Sequence, residues 1–186
     1  ETPVVAVEFA KILHQAGVTP GAYNVVTGFG SDLGGALVEH PQVNGIAFTG
    51  STSTGVRIAQ SAVKSMKRMQ MELGGKNPLI VLKDVDIEKA AEIAAVGAFF
   101  HGGQICMSSA RIIVEEEIAR PFAEALAKKA ASLHLGDLRD PKTAYGPVIN
   151  KQSLEKIQSH VAAARSDGAE ILSGGEVHHG LVFKPT

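Results

Sequence analysis

The only cysteine of this 186-residue chain, Cys106, is its strongest candidate for chemistry. A thiol titrates near ~8.5 when unperturbed, so thiol chemistry at neutral pH needs a base or a positive setting. Gly102 and Gly103 end a predicted helix, and any helix that followed Cys106 could lend its N-terminal field to a thiolate. Arg111 could add positive charge. The competing interpretation is a small core residue, since unpaired cysteines are among the most buried types.

Glu72 is the candidate base for this thiol. It lies at the end of a predicted strand, residues 69–73, and two glycines follow. Parallel α/β folds bind ligands at the carboxyl ends of their strands, which is where this carboxylate is expected. An exposed rim carboxylate, or one paired with Lys76, is the alternative interpretation. Together, Glu72 and Cys106 point to nucleophilic thiol catalysis.

The turn between a predicted strand (43–48) and a predicted helix (52–63) is a candidate anion site. Free N–H groups at a helix N-terminus attract phosphate, Gly50 lets the backbone approach closely, and the Ser51 hydroxyl can donate. An ordinary Ser N-cap after a tight turn explains the same residues. The seven histidines form no set with zinc-like spacing, so no metal site is predicted.

Helices and strands are predicted to alternate, which indicates right-handed βαβ units and an α/β fold with a parallel sheet. The predicted helices are residues 3–16, 31–39, 52–63, 86–100, 121–133 and 150–168, and the predicted strands are residues 23–26, 43–48, 69–73, 79–82, 111–114, 171–172 and 181–183. The glycines after Leu73 mark the predicted boundary between residues 1–73 and 74–186.

The bulk composition narrows the class of protein. Hydrophobic residues make up 45% of the chain and the net charge is −1, which indicates a packed protein without a dedicated nucleic-acid surface. No apolar run reaches the ~18 residues of a membrane helix. One cysteine cannot form an internal disulfide, so we expect the cytoplasm, or else an organelle matrix. The ends at Glu1 and Thr186 are interpreted as cuts in a longer protein.

Three runs together resemble the NAD(P)-dependent aldehyde dehydrogenases. They are Phe48-Thr49-Gly50-Ser51-Thr52 with Gly55, Met71-Glu72-Leu73-Gly74-Gly75-Lys76-Asn77-Pro78, and Gly103-Gln104 with Cys106. The resemblance implies a Rossmann-like portion of a cofactor domain in residues 1–73. It also implies the first part of an α/β catalytic domain in residues 74–186, so the chain would be the middle of a longer enzyme.

The resemblance implies a role for each site residue. Cys106 would attack the aldehyde carbon, hydride would pass to NAD or NADP, and Glu72 would activate water to release a carboxylic acid. A glutamate at position 72 favours water over coenzyme A or phosphate as the acyl acceptor. Met107-Ser108 resembles enzymes of aromatic aldehydes, and His101 stands where an Asn is frequent. The implied cofactor contacts are Gly30, Gly50, Ser51, Gly55, Leu73 and Lys156.

The implied partners are a small aldehyde, with aromatic aldehydes among the candidates, and further copies of the full-length protein in a homodimer or homotetramer. Nucleic acid and membrane are not expected partners. The chain alone is expected to have little or no activity, because the family's oxyanion Asn and its adenosine-ribose contacts fall outside it. Two other functions stay open: a non-catalytic nucleotide-binding module of the same fold, and a thiol esterase without cofactor.

Overall fold

The computed structural model describes all residues from Glu1 to Thr186, which form two compact units, Glu1–Gly74 and Gly75–Thr186. Its parallel strand pairs with intervening helices confirm the predicted α/β class. None of the helices is long and apolar enough to cross a membrane. In chain order the elements are α1 (Val4–Gln15), α2 (Gly30–Glu39), β1 (Gly45–Gly50), α3 (Thr52–Ala62), β2 (Arg68–Leu73), β3 (Pro78–Val81), α4 (Ile87–Phe99), β4 (Arg111–Val114), α5 (Glu116–Ala131), α6 (Lys151–Ser166), β5 (Val177–His179) and β6 (Val182–Phe183).

The first unit contains a βαβ motif made of β1, α3 and β2. The two strands are parallel, and α3 is the crossover that a parallel pair requires. Gly55 is buried in α3, and a Cβ there would lie 2.7 Å from Leu73 Cδ2, so the helix packs closely on β2. This close packing brings the beginning of α3 next to the carboxyl ends of both strands.

The second unit repeats this arrangement with β3, α4 and β4. Asp86 caps α4 by accepting a hydrogen bond from Lys89 N at 3.0 Å, as its residue type favours. The core under the strands consists of Val81, Ala91, Ala94, Phe122 and Ala125. A second buried cluster joins α6 to the antiparallel β5–β6 pair through Val148, Leu154 and Phe183.

Two predicted strands are absent. Residues 23–26 are irregular, with Tyr23 and Val26 exposed by 43% and 69%, and residues 171–172 are also irregular. A short apolar run becomes a strand only where another strand offers its backbone groups, and neither run has such a neighbour here. The predicted strand 181–183 is present as β6, whereas its partner β5 was not predicted.

The fifth helix begins earlier than its sequence predicts. Pro121 was expected near the start, because proline is favoured at the first helical position. Instead α5 begins at Glu116, and Pro121 lies inside it. Two acidic residues in the first turn, Glu116 and Glu117, complement the partial positive charge of the helix N-terminus and support the earlier start.

Candidate active site

Cys106 lies at the tip of a turn that follows an unusual stretch of backbone. His101, Gly102 and Gly103 have φ values of +52°, +65° and +73°, so three successive residues adopt left-handed conformations and end the helical segment after α4. Ser108 N then donates to Ile105 O at 3.1 Å and closes a turn. The Cys106 side chain is exposed, which excludes the interpretation as a core residue.

No helix follows Cys106 directly, and the predicted strand 111–114 comes next. The residues after the turn lead into β4, whose Ile112, Ile113 and Val114 pair with β3. Apolar β-branched residues favour such a strand, which explains why the chain extends here. No helix N-terminus next to Cys106 is therefore present to stabilise a thiolate. The backbone N–H groups of Cys106 and Met107 donate to no acceptor of the protein, which leaves them available to a ligand oxygen.

Two amide side chains hold the loop that carries Cys106. Asn77 Nδ2 donates to Cys106 O at 2.6 Å and to Ser108 O at 3.1 Å. On the other side, Gln104 Oε1 accepts a hydrogen bond from Ile149 N at 3.0 Å, which ties the loop to the segment before α6. Neither anchor was predicted from the sequence, because the backbone groups that the two side chains bond lie 29, 31 and 45 residues away along the chain.

Tyr145 supports the same loop from within the second unit. Its ring lies next to Gly102, where a Cβ would come within 3.3 Å of Tyr145 Cδ2. The phenol is buried and donates to Phe183 O at 2.8 Å. Burial raises the pKa of Tyr145 to about 12. The tyrosine therefore joins the base of the cysteine loop to β6 as a neutral hydrogen-bond donor.

Glu72 lies at the carboxyl end of β2 in the first unit, as predicted. It is exposed, stands opposite Thr49 of β1 in the parallel register, and forms no ion pair with Lys76. Leu73, the next residue, stands opposite Gly50. The strand ends thus present an unpaired carboxylate at the position where α/β folds bind ligands.

The beginning of α3 lies at these same strand ends. Ser51 is the N-cap of α3: its Oγ accepts a hydrogen bond from Thr54 N at 3.3 Å and donates to Thr54 Oγ1 at 2.9 Å. A Cβ at Gly50 would overlap the ring of Phe48, so any other residue there would require this ring to move. The structure thus confirms the capping role of Ser51, and a capped helix N-terminus with added hydroxyls remains suited to an anion.

A cavity of about 660 Å³ lies in the first unit between α2, β1 and α3. Gly30, Gly34 and Gly35 line it from α2, and a Cβ at any of the three would meet no other atom within 4 Å. Ile46 and Phe48 supply apolar side chains from β1. Of these three glycines only Gly30 was predicted as a cofactor contact, although a glycine inside a helix usually has a packing or functional reason.

The predicted cofactor residues fall into two groups. Gly50, Ser51, Gly55 and Leu73 come together where β1, β2 and α3 meet, and Gly30 lines the neighbouring cavity. Lys156 belongs to the second unit, where it is exposed on α6 and forms no ion pair. No three His, Cys, Asp or Glu side chains are grouped so that they could hold a metal ion.

Comparison with known proteins decides the family. The model of the aldehyde dehydrogenase family matches residues 1–186. The chain belongs to the aldehyde dehydrogenase family. The aldehyde dehydrogenase resemblance of the three sequence runs is thereby confirmed. The division of the chain into a cofactor portion and a catalytic portion stays a prediction, as do the roles of the individual residues.

Individual aldehyde dehydrogenases match nearly the whole chain. A chloroplastic aminoaldehyde dehydrogenase of Arabidopsis thaliana, ALDH10A8, is 43% identical over 98% of this chain and 37% of its own length. The structure of betaine aldehyde dehydrogenase from Staphylococcus aureus in complex with NAD⁺ matches with a TM-score of 0.94 and 34% identity, over 99% of this chain and 38% of that one. The chain thus spans little more than a third of the length of these relatives.

The predicted cytoplasmic location is wrong, since similar relatives are found in organelles. The Arabidopsis relative is chloroplastic, and a peroxisomal aminoaldehyde dehydrogenase of Malus domestica is 41% identical over 98% of this chain and 37% of its own length. The prediction depended on the single cysteine, which reports only that no internal disulfide is needed. The lack of an internal disulfide therefore does not distinguish the cytoplasm from an organelle such as the chloroplast or the peroxisome.

Proposed function

We propose that the complete protein oxidises an aldehyde to a carboxylic acid with NAD or NADP, with Cys106 as the nucleophile. Family membership supports the reaction class. The exposed thiol on a tightly held turn, beside backbone N–H groups without protein acceptors, carries the assignment of the nucleophile. Since the chain spans 37% of a typical relative, the activity belongs to the complete protein.

In the proposed reaction the Cys106 thiolate adds to the aldehyde carbon, and the carbonyl oxygen becomes an oxyanion. The N–H of Cys106 would donate to this oxygen; such a donor typically contributes about 3 to 4 kcal/mol to transition-state stabilisation. Loss of hydride from the same carbon, with the oxidised nicotinamide as acceptor, leaves a thioester. Glu72 would then take a proton from water as it attacks the thioester, which releases the carboxylate and regenerates the thiolate.

The first unit fits a dinucleotide. Gly50 and Ser51 would meet its pyrophosphate, because they precede the positive end of α3. The cavity beside Gly30 has a volume suited to a flat ring system, so we assign it to the adenosine half. Gly55 packs against Leu73, and we assign it to the same half on the family resemblance alone. We assign the main chain of Leu73 to the nicotinamide and Lys156 to the nicotinamide ribose.

The substrates to test first follow from the relatives and from the cysteine loop. The named relatives act on aminoaldehydes and betaine aldehyde, so amino- and trimethylammonio-aldehydes form the first group. Met107, exposed by 77% next to the thiol, gives an apolar surface that an aromatic ring could contact. Aromatic aldehydes therefore form the second group.

The test follows cofactor reduction by the complete protein with both groups of aldehydes and with NAD and NADP. We expect reduction that disappears in Cys106→Ser. In Glu72→Gln we expect a single burst of about one reduced cofactor per site and then slow turnover, because the thioester forms but is hydrolysed slowly. Glu8→Gln is the matched control, since Glu8 is an exposed glutamate of the first unit whose only ion pair is with Lys11.

The other open functions give different results. Binding of dinucleotide without reduction by any aldehyde would favour a non-catalytic module. Ester hydrolysis that needs Cys106 and is unaffected by NAD or NADP, without aldehyde oxidation, would favour a thiol esterase. Full activity of Cys106→Ser would contradict the proposed nucleophile. Equal effects of Glu72→Gln and Glu8→Gln would contradict the proposed base.

A further inference from the structure

We propose that Asn77 is the positioning residue of the catalytic thiol: its amide clamps the turn 105–108 and so orients Cys106 and its N–H. The inference rests on the proposed function, because it assigns a part in that reaction to a residue without a role so far. One nitrogen, Nδ2, donates both hydrogen bonds, to Cys106 O at 2.6 Å and to Ser108 O at 3.1 Å. Both carbonyls belong to the turn closed by Ser108 N and Ile105 O.

The surroundings of Asn77 fix the direction of its amide. Pro78 disfavours a helical backbone for the residue before it, and Asn77 O accepts a hydrogen bond from Arg111 N at 3.2 Å. The side chain has only two torsions, so ordering it costs little entropy. Two carbonyl acceptors require a group with two N–H donors, which the amide nitrogen supplies and an oxygen cannot. The main chain and the side chain of Asn77 thus hold both ends of the segment between Cys106 and β4.

The clamp acts on the groups that would react. A peptide carbonyl and the N–H of the next residue share one plane, so the bond to Cys106 O fixes the N–H of Met107. The turn that Asn77 clamps also holds Ile105 O through Ser108 N, and Ile105 O shares its plane with the N–H of Cys106. The N–H groups of Cys106 and Met107 then point where no protein acceptor takes them. A displacement of about 1 Å at such a site can lower a rate about a hundredfold. Asn77 thus affects catalysis without contact to substrate or cofactor.

The test compares variants that separate hydrogen-bond donation from shape. Asn77→Asp keeps the shape and removes both donors, whereas Asn77→Gln keeps the amide donor on a longer side chain. We expect kcat to fall tenfold to a hundredfold in Asn77→Asp with the cofactor KM unchanged, and to be partly restored in Asn77→Gln. A role in packing alone would give the opposite order, with Asn77→Asp close to wild type and Asn77→Gln worse.

A second measurement does not need enzymatic activity. Hydrogen exchange of Ser108 N–H, resolved by mass spectrometry, should become about fivefold faster in Asn77→Asp and in Asn77→Ala, because the turn opens more often. Asn24→Asp is the matched control: its Nδ2 donates to Gly21 O at 2.8 Å in an exposed turn of the other unit. We expect wild-type kcat and wild-type exchange at Ser108 in this control.

The outcomes separate this inference from the proposed function. If wild type reduces no cofactor, the proposed function fails, and exchange at Ser108 alone decides whether Asn77 clamps the turn. Unchanged exchange in both Asn77→Asp and Asn77→Ala would overturn the clamp. Faster exchange with unchanged kcat would overturn the positioning role. Should Asn77→Asp fail to fold, Asn77→Ala carries the same kinetic expectation without an added charge.

Discussion

Removal of the Tyr145 hydroxyl should destabilise the second unit in a manner that depends on pH. In wild type the phenol is 6% exposed and donates to Phe183 O at 2.8 Å. Tyr145→Phe removes this bond and leaves a carbonyl of β6 without its donor. We expect a loss of about 1 to 2 kcal/mol in the free energy of unfolding at neutral pH.

At high pH the stability advantage of the wild type over Tyr145→Phe should disappear and then reverse. Burial raises the pKa of Tyr145 from 10.0 to about 12, so the folded state keeps the phenolic proton after the unfolded state has lost it. The stabilisation associated with the neutral phenol is complete below pH 10 and is lost as pH rises towards 12. A two-unit difference in pKa corresponds to about 2 to 3 kcal/mol. The phenylalanine variant lacks this proton and should not show this loss.

Urea unfolding at intervals from pH 7 to 12 measures both effects. Tyr23→Phe is the control, because Tyr23 is the other of the chain's two tyrosines and is 43% exposed. We expect it to retain the wild-type stability and the wild-type loss between pH 10 and 12. Parallel curves for wild type and Tyr145→Phe over that range would refute the reasoning, because the phenol would then not be the group whose proton stabilises the fold.

Two further predictions concern the backbone of the cysteine loop and the cap of α3. In urea unfolding, the free energy of unfolding of His101→Asn should stay within about 0.5 kcal/mol of wild type, whereas that of His101→Val should fall by about 1 to 2 kcal/mol. The reason is that φ of His101 is +52°, a conformation that a β-branched residue tolerates poorly. Ser51→Ala should lower the free energy of unfolding by about 1 kcal/mol and raise the KM for the dinucleotide. Asp86→Ala, at the cap of α4, should lower the free energy of unfolding by the same amount and leave that KM unchanged. Equal stability of both His101 variants, or equal KM effects of both caps, would contradict these expectations.

The local signals of the sequence predicted much of the fold. Strand β4 has the predicted bounds, and Asp86 and Asn150 cap the helices that follow them. These features depend on residues a few positions apart, so their cause is present in the sequence. The left-handed conformation also explains His101 at a position where Asn is frequent, since Asn and His are both enriched at positive φ.

The features that the sequence did not reveal depend on distant partners. Residues 23–26 have a strand-like composition without a neighbouring strand, so their pattern was misleading. The two acceptors of Asn77 lie 29 and 31 residues along the chain, and nothing in the motif around Asn77 indicates them. The site residues were found by residue type and order, whereas the side chains that hold them required the fold.

The turn at Cys106 changes how the thiol must be activated. A helix after the cysteine would have stabilised a thiolate through its N-terminal field, and the chain forms a turn and then β4 instead. In the proposed reaction, activation therefore depends more on the base, and Glu72 would act in thiol deprotonation as well as in thioester hydrolysis. Glu72→Gln should then slow the burst itself, not only the turnover that follows it. A burst at the wild-type rate in this variant would confine Glu72 to hydrolysis and require another acceptor for the thiol proton.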